Sequence, residues 1–408
     1  MTESNSLTLL IDAQALQGAD PERGIPRWLS EFASALKQRG VNCVGLTNPS
    51  LRTIHPQFVK CFQQVSENQR GIVRQLVDNR RTVYVVGSPL EPVRPVRALL
   101  PDHILDAGIP IATVMHDLAL YRYPHFYQVH VGDEKTYAAR RTLFRWTDKF
   151  LSISQSTARD VVELWKVPSD RVVVVGSGVS DFFQPDDNPI SIPAARFVLT
   201  VGRRDPRKQT DFLIKMFAGL PANLKSHLKL VIVCRLDDEI SDVWRSLALE
   251  VGLGDDQLVL TGLINDTDLR DLYRKCDVFV EPSLFEGFGL PLAEAAACGA
   301  VAICSRSSSL PEIIDTTENL FDPTDLKAAT ALLERALTDS ALRARLKKAS
   351  LLSPRAHRWD AVGARAHTLL DVMARKVNIP QVFASDYLDR GLPRGALGRT
   401  IPLACIDD

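Results

Sequence analysis

Long apolar runs are missing from this chain: no stretch approaches the ~18 apolar residues of a membrane-spanning helix, and the polar start Met1-Thr2-Glu3-Ser4-Asn5-Ser6 lacks the pattern of a signal peptide. A soluble, cytoplasmic protein is expected, with any membrane work peripheral, at the inner face. Charge of one sign is missing too. Lys+Arg and Asp+Glu both number 49, so no global field draws the chain to nucleic acid or to an anionic membrane. The cysteines number 7 and never form a C-x-x-C pair, which argues against a disulfide framework or a zinc site and for buried thiols in a reducing compartment. Neither G-x-G-x-x-G nor G-x-x-x-x-G-K-[ST] occurs, so a dinucleotide or Walker-type phosphate site is not expected.

What is present suffices for two cores. At 408 residues and 45% hydrophobic content, the chain exceeds what one core usually organises. Leu7 to Asp12 reads as a buried strand, and a polar loop from Gly18 to Arg27 leads to a helix over about Arg27 to Lys37. Apolar runs at Val41 to Leu46, Thr82 to Val86, Ile111 to Val114, Lys149 to Ile153 and Val172 to Val175 alternate with helical segments. Thr157 and Asp160 have capping-box spacing at one of these strand-to-helix junctions. The Pro- and Asx-rich Phe183 to Pro189 reads as a linker. A second series follows: Phe197 to Val201, Lys229 to Val233, Gln257 to Leu260, Val278 to Val280 and Val301 to Cys304. Such alternation predicts two α/β domains with parallel sheets, over 1–188 and 189–355, then a helix over 356–376 and a tail, 377–408, without an assigned role. Ligands are expected at the carboxyl ends of the strands, in a cleft between the domains.

Glu286-Gly287-Phe288-Gly289-Leu290-Pro291-Leu292-Ala293-Glu294 places two carboxylates around a glycine turn, after the strand Val278 to Val280 and before an alanine-rich helix. Pro291 suits a first helical turn, where its missing N–H has no intrahelical acceptor. The free N–H groups there favour anionic or hydroxyl-rich ligands. Two readings stay open on these residues alone: Glu286 and Glu294 grip a ligand, or they are a solvated loop carboxylate and a partner of the helix dipole. In Val201-Gly202-Arg203-Arg204-Asp205-Pro206-Arg207-Lys208 a strand ends at glycine and delivers cations suited to a diphosphate. Arg204 and Arg207 read as solvated surface. His116 follows the strand Ile111 to Val114 and has the placement of a donor to a sugar hydroxyl or phosphate, although a structural histidine fits equally. Asp266-Thr267-Asp268 has the D-x-D form of a metal-nucleotide site but precedes a helix, where capping explains it; no metal is expected. Arg140, Arg141, Arg145, Trp146 and Lys149 read as a solvated helix face, the alternative being contact with a membrane carrying a lipid-linked acceptor.

Together these motifs resemble glycosyltransferase family 4, retaining enzymes of the GT-B fold, over about Leu7 to Lys376. Glu286 and Glu294 match the E-x7-E element, and Gly202-Arg203 with Lys208 the G-R-x4-K element. Arg23-Gly24-Ile25, Met115-His116-Asp117-Leu118, Ile153-Ser154-Gln155-Ser156 and Ser308-Ser309-Leu310-Pro311-Glu312 fall in the family's order. The resemblance implies that Glu286 holds hydroxyls of the donor sugar and Glu294 the ribose. Arg203 and Lys208 neutralise the diphosphate, while Gly287 and the N–H groups of Phe288, Gly289 and Leu290 line sugar and phosphate. His116 lies beside the transferring sugar, Gly24 lets the first loop approach the phosphate, and the helix from Trp359 crosses back to the first domain. This chain departs from a frequent Gly-Ile-Gly-Arg-Tyr with Gly24-Ile25-Pro26-Arg27-Trp28, where proline stiffens the loop and removes an N–H, and carries Val301 where proline is frequent.

The activity so implied is metal-independent, cofactor-free transfer of a hexosyl unit from a nucleotide diphosphate sugar to a hydroxyl of a glycan or lipid-linked glycan, with retained configuration. Retention usually suggests a carboxylate nucleophile; none is evident, so same-face attack is expected, with the leaving phosphate taking the acceptor's proton. The closest style is that of bacterial mannosyl- and rhamnosyltransferases that build surface polysaccharides, which makes GDP-mannose the first donor to test. The rivals are a non-catalytic nucleotide-sugar binder or partner subunit, and a GT-B nucleotide-sugar epimerase.

Overall fold

The computed structural model describes residues 6–18, 24–77, 81–90, 96–127, 131–145, 147–186, 196–314, 316–352 and 357–375, with the short pairs Arg394–Gly395 and Arg399–Thr400. Arg23, Trp146, the expected domain boundary at 188 and nearly all of the tail lie outside these residues. The chain divides into two compact units, one of Met1–Gly178 with Trp359–Asp408, the other of Val179–Arg358. The division thus falls at Gly178 rather than at 188, because Phe183 to Asp186 belong with the second unit: Gln184 O accepts from Arg274 Nε at 2.9 Å and Asp186 pairs with Arg274 at 3.4 Å.

The first unit is a seven-stranded parallel sheet. Its strands are β1 (Thr8–Asp12), β2 (Asn42–Thr47), β3 (Gln64–Glu67), β4 (Thr82–Val86), β5 (Ile111–Met115), β6 (Lys149–Ser152) and β7 (Val172–Val174), in the order β3-β2-β1-β4-β5-β6-β7. β1, β4 and β5 are buried along their whole length, as a parallel sheet covered on both faces requires. Helix α1 (Gly24–Gln38) starts three residues before the expected Arg27. Pro26 therefore sits in its first turn, where no intrahelical acceptor awaits an N–H, and does not stiffen a loop. Helix α2 (Gln155–Trp165) is capped by Ser154, whose Oγ accepts from Thr157 N at 3.0 Å; Thr157 itself lies inside the helix and is not the cap.

The second unit is a six-stranded parallel sheet: β8 (Arg196–Val201), β9 (Leu228–Val233), β10 (Leu258–Leu260), β11 (Val278–Glu281), β12 (Ala302–Ser305) and β13 (Leu320–Phe321), ordered β10-β9-β8-β11-β12-β13. Val198, Leu230, Ile232, Val278, Val280 and Ile303 pack one face against helix α3 (Thr210–Ala218) through Leu213 and Phe217. On β11 the intervening Phe279 meets Tyr273 of helix α4 (Asp266–Lys275) at 5.5 Å. Order runs outward from β8 to β9 on one side and to β11 on the other. The loops after β8 and β11 therefore leave a switch point, where side chains from two neighbouring strand ends converge.

Helix α5 (Leu290–Ala297) follows β11, and helix α6 (Trp359–Arg375) closes the first unit. The return of α6 to the first unit has a local cause. Gly178 leaves room for the Trp359 ring, which a Cβ there would meet at 2.6 Å, and Gly363 lies flat on Ala35 of α1. Arg365 Nε donates to Val175 O at 2.8 Å, and Arg81 pairs with Asp371. Cys43, Cys61, Cys234, Cys276, Cys298 and Cys304 are free and buried, and burial pushes Cys43 and Cys61 up to about 12, so these thiols stay protonated. Among the described residues no helix is long and apolar enough to cross a membrane. Arg140 is fully buried with Nη1 on Pro89 O at 2.6 Å, so the basic residues of 140–149 do not form one surface face.

The turn into α5 is the tightest point. Gly289 has φ +98°, and a Cβ there would lie 2.5 Å from Leu310 Cδ2, itself fully buried. Gly289→Ala is expected to destabilise the second unit by roughly 2–4 kcal/mol, from left-handed strain plus overpacking. Denaturant unfolding followed by Trp244 fluorescence reads this as an earlier midpoint; an unchanged midpoint means the turn relaxes freely.

Candidate functional site

The second unit brings six of the expected residues into one cluster or its rim: Gly202, Lys208, Glu286, Gly287, Phe288 and Gly289. β8 ends at Val201, and the N–H of the next residue, Gly202, donates to Val233 O at 2.9 Å; a Cβ on Gly202 would meet Ile232 Cγ2 at 2.9 Å and Thr210 Oγ1 at 3.3 Å. The chain then makes one 3-10 turn over Pro206–Lys208, with Asp205 as its cap. Gln209 in the left-handed region (φ 50°) reverses the backbone into α3. This reversal sends Lys208 inward. Its Nζ lies 2.7 Å from Glu286 Oε1 and 3.8 Å from Glu281 Oε1.

Glu286 is held from three sides. Its N–H donates to Ser308 Oγ at 2.7 Å, its carbonyl accepts from Ser309 Oγ at 2.9 Å, and its carboxylate meets Lys208 and, at 3.7 Å, Arg207 Nη1. Ser309 Oγ also reaches Phe288 O at 2.8 Å, which fixes the turn Glu286 to Gly289 on the loop after β12. Burial acts to raise the Glu286 carboxyl, but Lys208 and Arg207 outweigh it and hold it below the ordinary glutamate range. Burial likewise pulls Lys208 down, and the two carboxylates overcome it, leaving the ammonium above its usual value. The result is a carboxylate and an ammonium both kept charged in a nearly dry site. Gly287 and Phe288 are buried beside them, and Leu290 opens α5.

Two residues differ from the sequence expectation. Arg207 is not solvated surface: its side chain is 13% exposed, Nε donates to Asp205 Oδ2 at 2.9 Å, and Nη1 donates to Phe285 O at 3.2 Å. Arg204, by contrast, is half exposed and pairs with Glu239 at 2.5 Å, as a surface residue does. Glu281, which the sequence reading passes over as a site residue, is fully buried at the end of β11, where its Oε1 accepts from Ser283 Oγ at 2.7 Å. Burial raises its carboxyl above the ordinary range, with the farther Lys208 only partly offsetting it. A signal for Glu281 existed in the sequence, since an acid ending a fully apolar strand lands at a switch point. Arg203 is exposed and makes no ion pair among the described residues. Glu294 is buried on α5, and Tyr273 Oη donates to its Oε2 at 3.2 Å.

His116 and Gly24 belong to the first unit. His116 lies at the end of β5, buried, with Nε2 2.9 Å from Gly87 O and its ring edge-on to Trp28 at 5.2 Å. A carbonyl only accepts, so Nε2 carries the proton and Nδ1 is left as an acceptor. Burial lowers the imidazole below its ordinary value despite the Gly87 bond, so the ring is neutral near pH 7. In this tautomer Nδ1 can accept a hydrogen bond but not donate one. Gly24 is the first residue of α1, exposed, with no atom within 4 Å of where a Cβ would stand.

The D-x-D triplet opens α4, capped by Asn265, whose Oδ1 accepts from Asp268 N at 2.9 Å. Among the described residues no group of three or more His, Cys, Asp or Glu is placed to hold a metal ion.

Two family models match this chain. That of glycosyl transferases group 1 covers residues 186–351, and that of glycosyltransferase family 4 covers residues 23–181. Among curated proteins, the serotype-specific mannosyltransferase WbdA of Escherichia coli is 34% identical over 271 residues, 64% of this chain and 33% of WbdA. The O-antigen chain mannosyltransferase B of E. coli is 26% identical over 259 residues, 61% of this chain and 66% of the relative. This chain thus spans about a third of the length of the first of these relatives. Among solved structures, Anabaena HepE in complex with UDP and glucose superposes with a TM-score of 0.70 at 15% identity, covering 90% of this chain and 100% of HepE. WaaG, a glycosyltransferase involved in lipopolysaccharide biosynthesis, gives 0.61 at 16%, covering 90% and 99%. The two parallel-sheet units are those of the GT-B fold.

The buried ion pair makes a stability prediction. Lys208→Met leaves two buried carboxylates without their cation and should cost about 3–5 kcal/mol, whereas Lys208→Met with Glu286→Gln should regain a substantial part. The depressed Glu286 stabilises the fold above the ordinary glutamate range and loses that contribution as pH falls through its lowered folded value. The raised Lys208 contributes fully below the ordinary lysine range and loses it as pH rises through its raised folded value. Urea midpoints between pH 3 and 7 should fall less steeply for Glu286→Gln than for the parent; identical slopes would remove Glu286 from the acid limb.

Proposed function

This chain belongs to the glycosyltransferases, family 4 in its first unit and group 1 in its second, and on that premise we propose that it transfers a hexosyl unit from a nucleotide diphosphate sugar to a hydroxyl of a glycan or lipid-linked glycan. The observation that carries the reading is the Glu286–Lys208–Arg207 cluster at the carboxyl ends of β8 and β11. A carboxylate kept ionised in a nearly water-free turn is a strong acceptor for sugar hydroxyls, and cations beside it suit the diphosphate. Arg203, exposed and without an ion pair among the described residues, is a cation with nothing to give up there when a phosphate arrives.

In this reading the bond from the anomeric carbon to the diphosphate breaks and a bond to the acceptor oxygen forms on the same face. The acceptor's proton passes to the leaving phosphate oxygen. Lys208, Arg203 and the free N–H groups at Phe288 to Leu290 stabilise the charge that develops on that oxygen. Glu286 orients the sugar, and Glu294 and its Tyr273 partner face the ribose. No step calls for a metal. The mannosyltransferase relatives favour GDP-mannose as donor and a surface polysaccharide as the context of the acceptor. UDP-sugars are the comparison, since HepE is a UDP and glucose complex.

A thermal-shift panel of nucleotide sugars should single out one donor, because a ligand bound only by the folded state raises the melting temperature. With that donor and a mannose-terminated acceptor, turnover should give a product of unchanged anomeric configuration by NMR and should persist in EDTA. Arg203→Ala should lower kcat/KM by on the order of 10²-fold with the fold intact. Near-normal turnover by Arg203→Ala would remove its assignment. Epimer formation from labelled donor without acceptor would identify an epimerase, and binding without turnover on any acceptor a non-catalytic subunit.

A further inference from the structure

Glu281 has no place in the chemistry above, yet it is the most buried charged group of the cluster. It ends β11 at 0% exposure, its Oε1 takes the Ser283 hydroxyl, and its Oε2 has no hydrogen-bond partner. The groups that face it come from three elements. Lys208 and Arg207 approach from the turn after β8, Ser283 and Glu286 from its own loop, and Cys304 lies across from it on β12. Burial keeps the Cys304 thiol protonated and neutral.

The charges do not balance. Among the described residues, Lys208 and Arg207 stand in ion pairs against Glu281, Glu286 and Asp205, two cations against three carboxylates. A diphosphate diester brings two more negative charges. With Lys208 turned toward a phosphate, Glu281 loses part of the one cation within 4 Å of it among the described residues. It is then an anion in a dry site with one oxygen unpartnered, the arrangement with most to gain from a proton.

We propose that Glu281 is a positioning residue that takes up a proton when a nucleotide diphosphate sugar binds, which frees Lys208 to turn from the carboxylates to the diphosphate. The proton comes from solvent, an O–H bond forms at the Glu281 carboxyl, and no other bond changes. Glu286 stays ionised, because Arg207 remains 3.7 Å from it and it has the sugar hydroxyls to accept from. The inference rests on the donor-binding reading given above.

Calorimetric titration of GDP-mannose and of UDP-glucose at pH 8, in buffers of different ionisation enthalpy, counts the protons. Intact nucleotide sugars are used because their diphosphates do not titrate in this range. The parent protein should take up about one proton per donor bound, and its affinity should fall up to about tenfold per pH unit above the linked value. Glu281→Gln should bind with no proton uptake and with an affinity that no longer depends on pH. Ser283→Ala removes the hydroxyl that steadies the ionised form and should move the pH dependence upward, a second reading that does not need Glu281→Gln to fold. Donor binding without proton uptake, equal uptake in Glu281→Gln, or an unmoved pH dependence in Ser283→Ala overturns the proposal. Binding of neither donor would overturn the donor reading itself, and this inference with it.

Discussion

The ion pair between Lys208 and Glu286 is the constraint on which the second unit's functional end depends. It joins the loop after β8 to the loop after β11, two loops distant in sequence that meet because β8 and β11 are neighbours in the sheet. Neither partner could be buried alone. An isolated ammonium or carboxylate in so dry a site would neutralise itself or force the site open. Pairing keeps both charged, and the backbone follows: Leu284 N–H donates to Arg207 O at 2.7 Å, which stitches the same two loops together beneath the side chains.

Much of this was legible in the sequence, for a physical reason. A parallel strand buried on both faces is a short apolar run, and β1, β4, β5, β8, β9 and β11 all announce themselves that way. β3 does not: Gln64–Glu67 lies at a sheet edge, with polar side chains and no fully buried position, so it carries no apolar signal. β13 is two residues long, too short for any period to show. The start of α1 was misjudged because proline was taken as a loop residue. In a first turn it costs nothing.

At the site, residue type was legible and environment was not. Arg204 and Arg207 are three positions apart and look alike in sequence. The 3-10 turn at Pro206–Lys208 and the left-handed Gln209 separate them, one onto Glu239 at the surface, the other into the cluster with Asp205. The burial of Glu281 is hidden for a related reason. Its importance comes from how completely β11 and β12 bury it, a tertiary fact, whereas its neighbours Pro282 and Ser283 spell a turn in any context. His116 shows the same limit at finer grain: its position at the end of β5 was foreseen, but the Gly87 carbonyl decides which ring nitrogen holds the proton, and hence whether the ring gives or receives.

Rigidity is a further consequence of how the donor loops are tied. The turn Glu286 to Gly289 is bonded to Ser308 and Ser309, and Ser305 Oγ donates to the Ser283 carbonyl on the same side. Three loops, after β8, β11 and β12, therefore hold one another through groups that a sugar nucleotide has no need to displace. A site assembled in advance spends little of its binding free energy on ordering itself. In the proposed reading, a donor loosens the hold of the two carboxylates on Lys208, and preference for a diphosphate over a neutral sugar would follow, because an anion repays Lys208 for leaving Glu286.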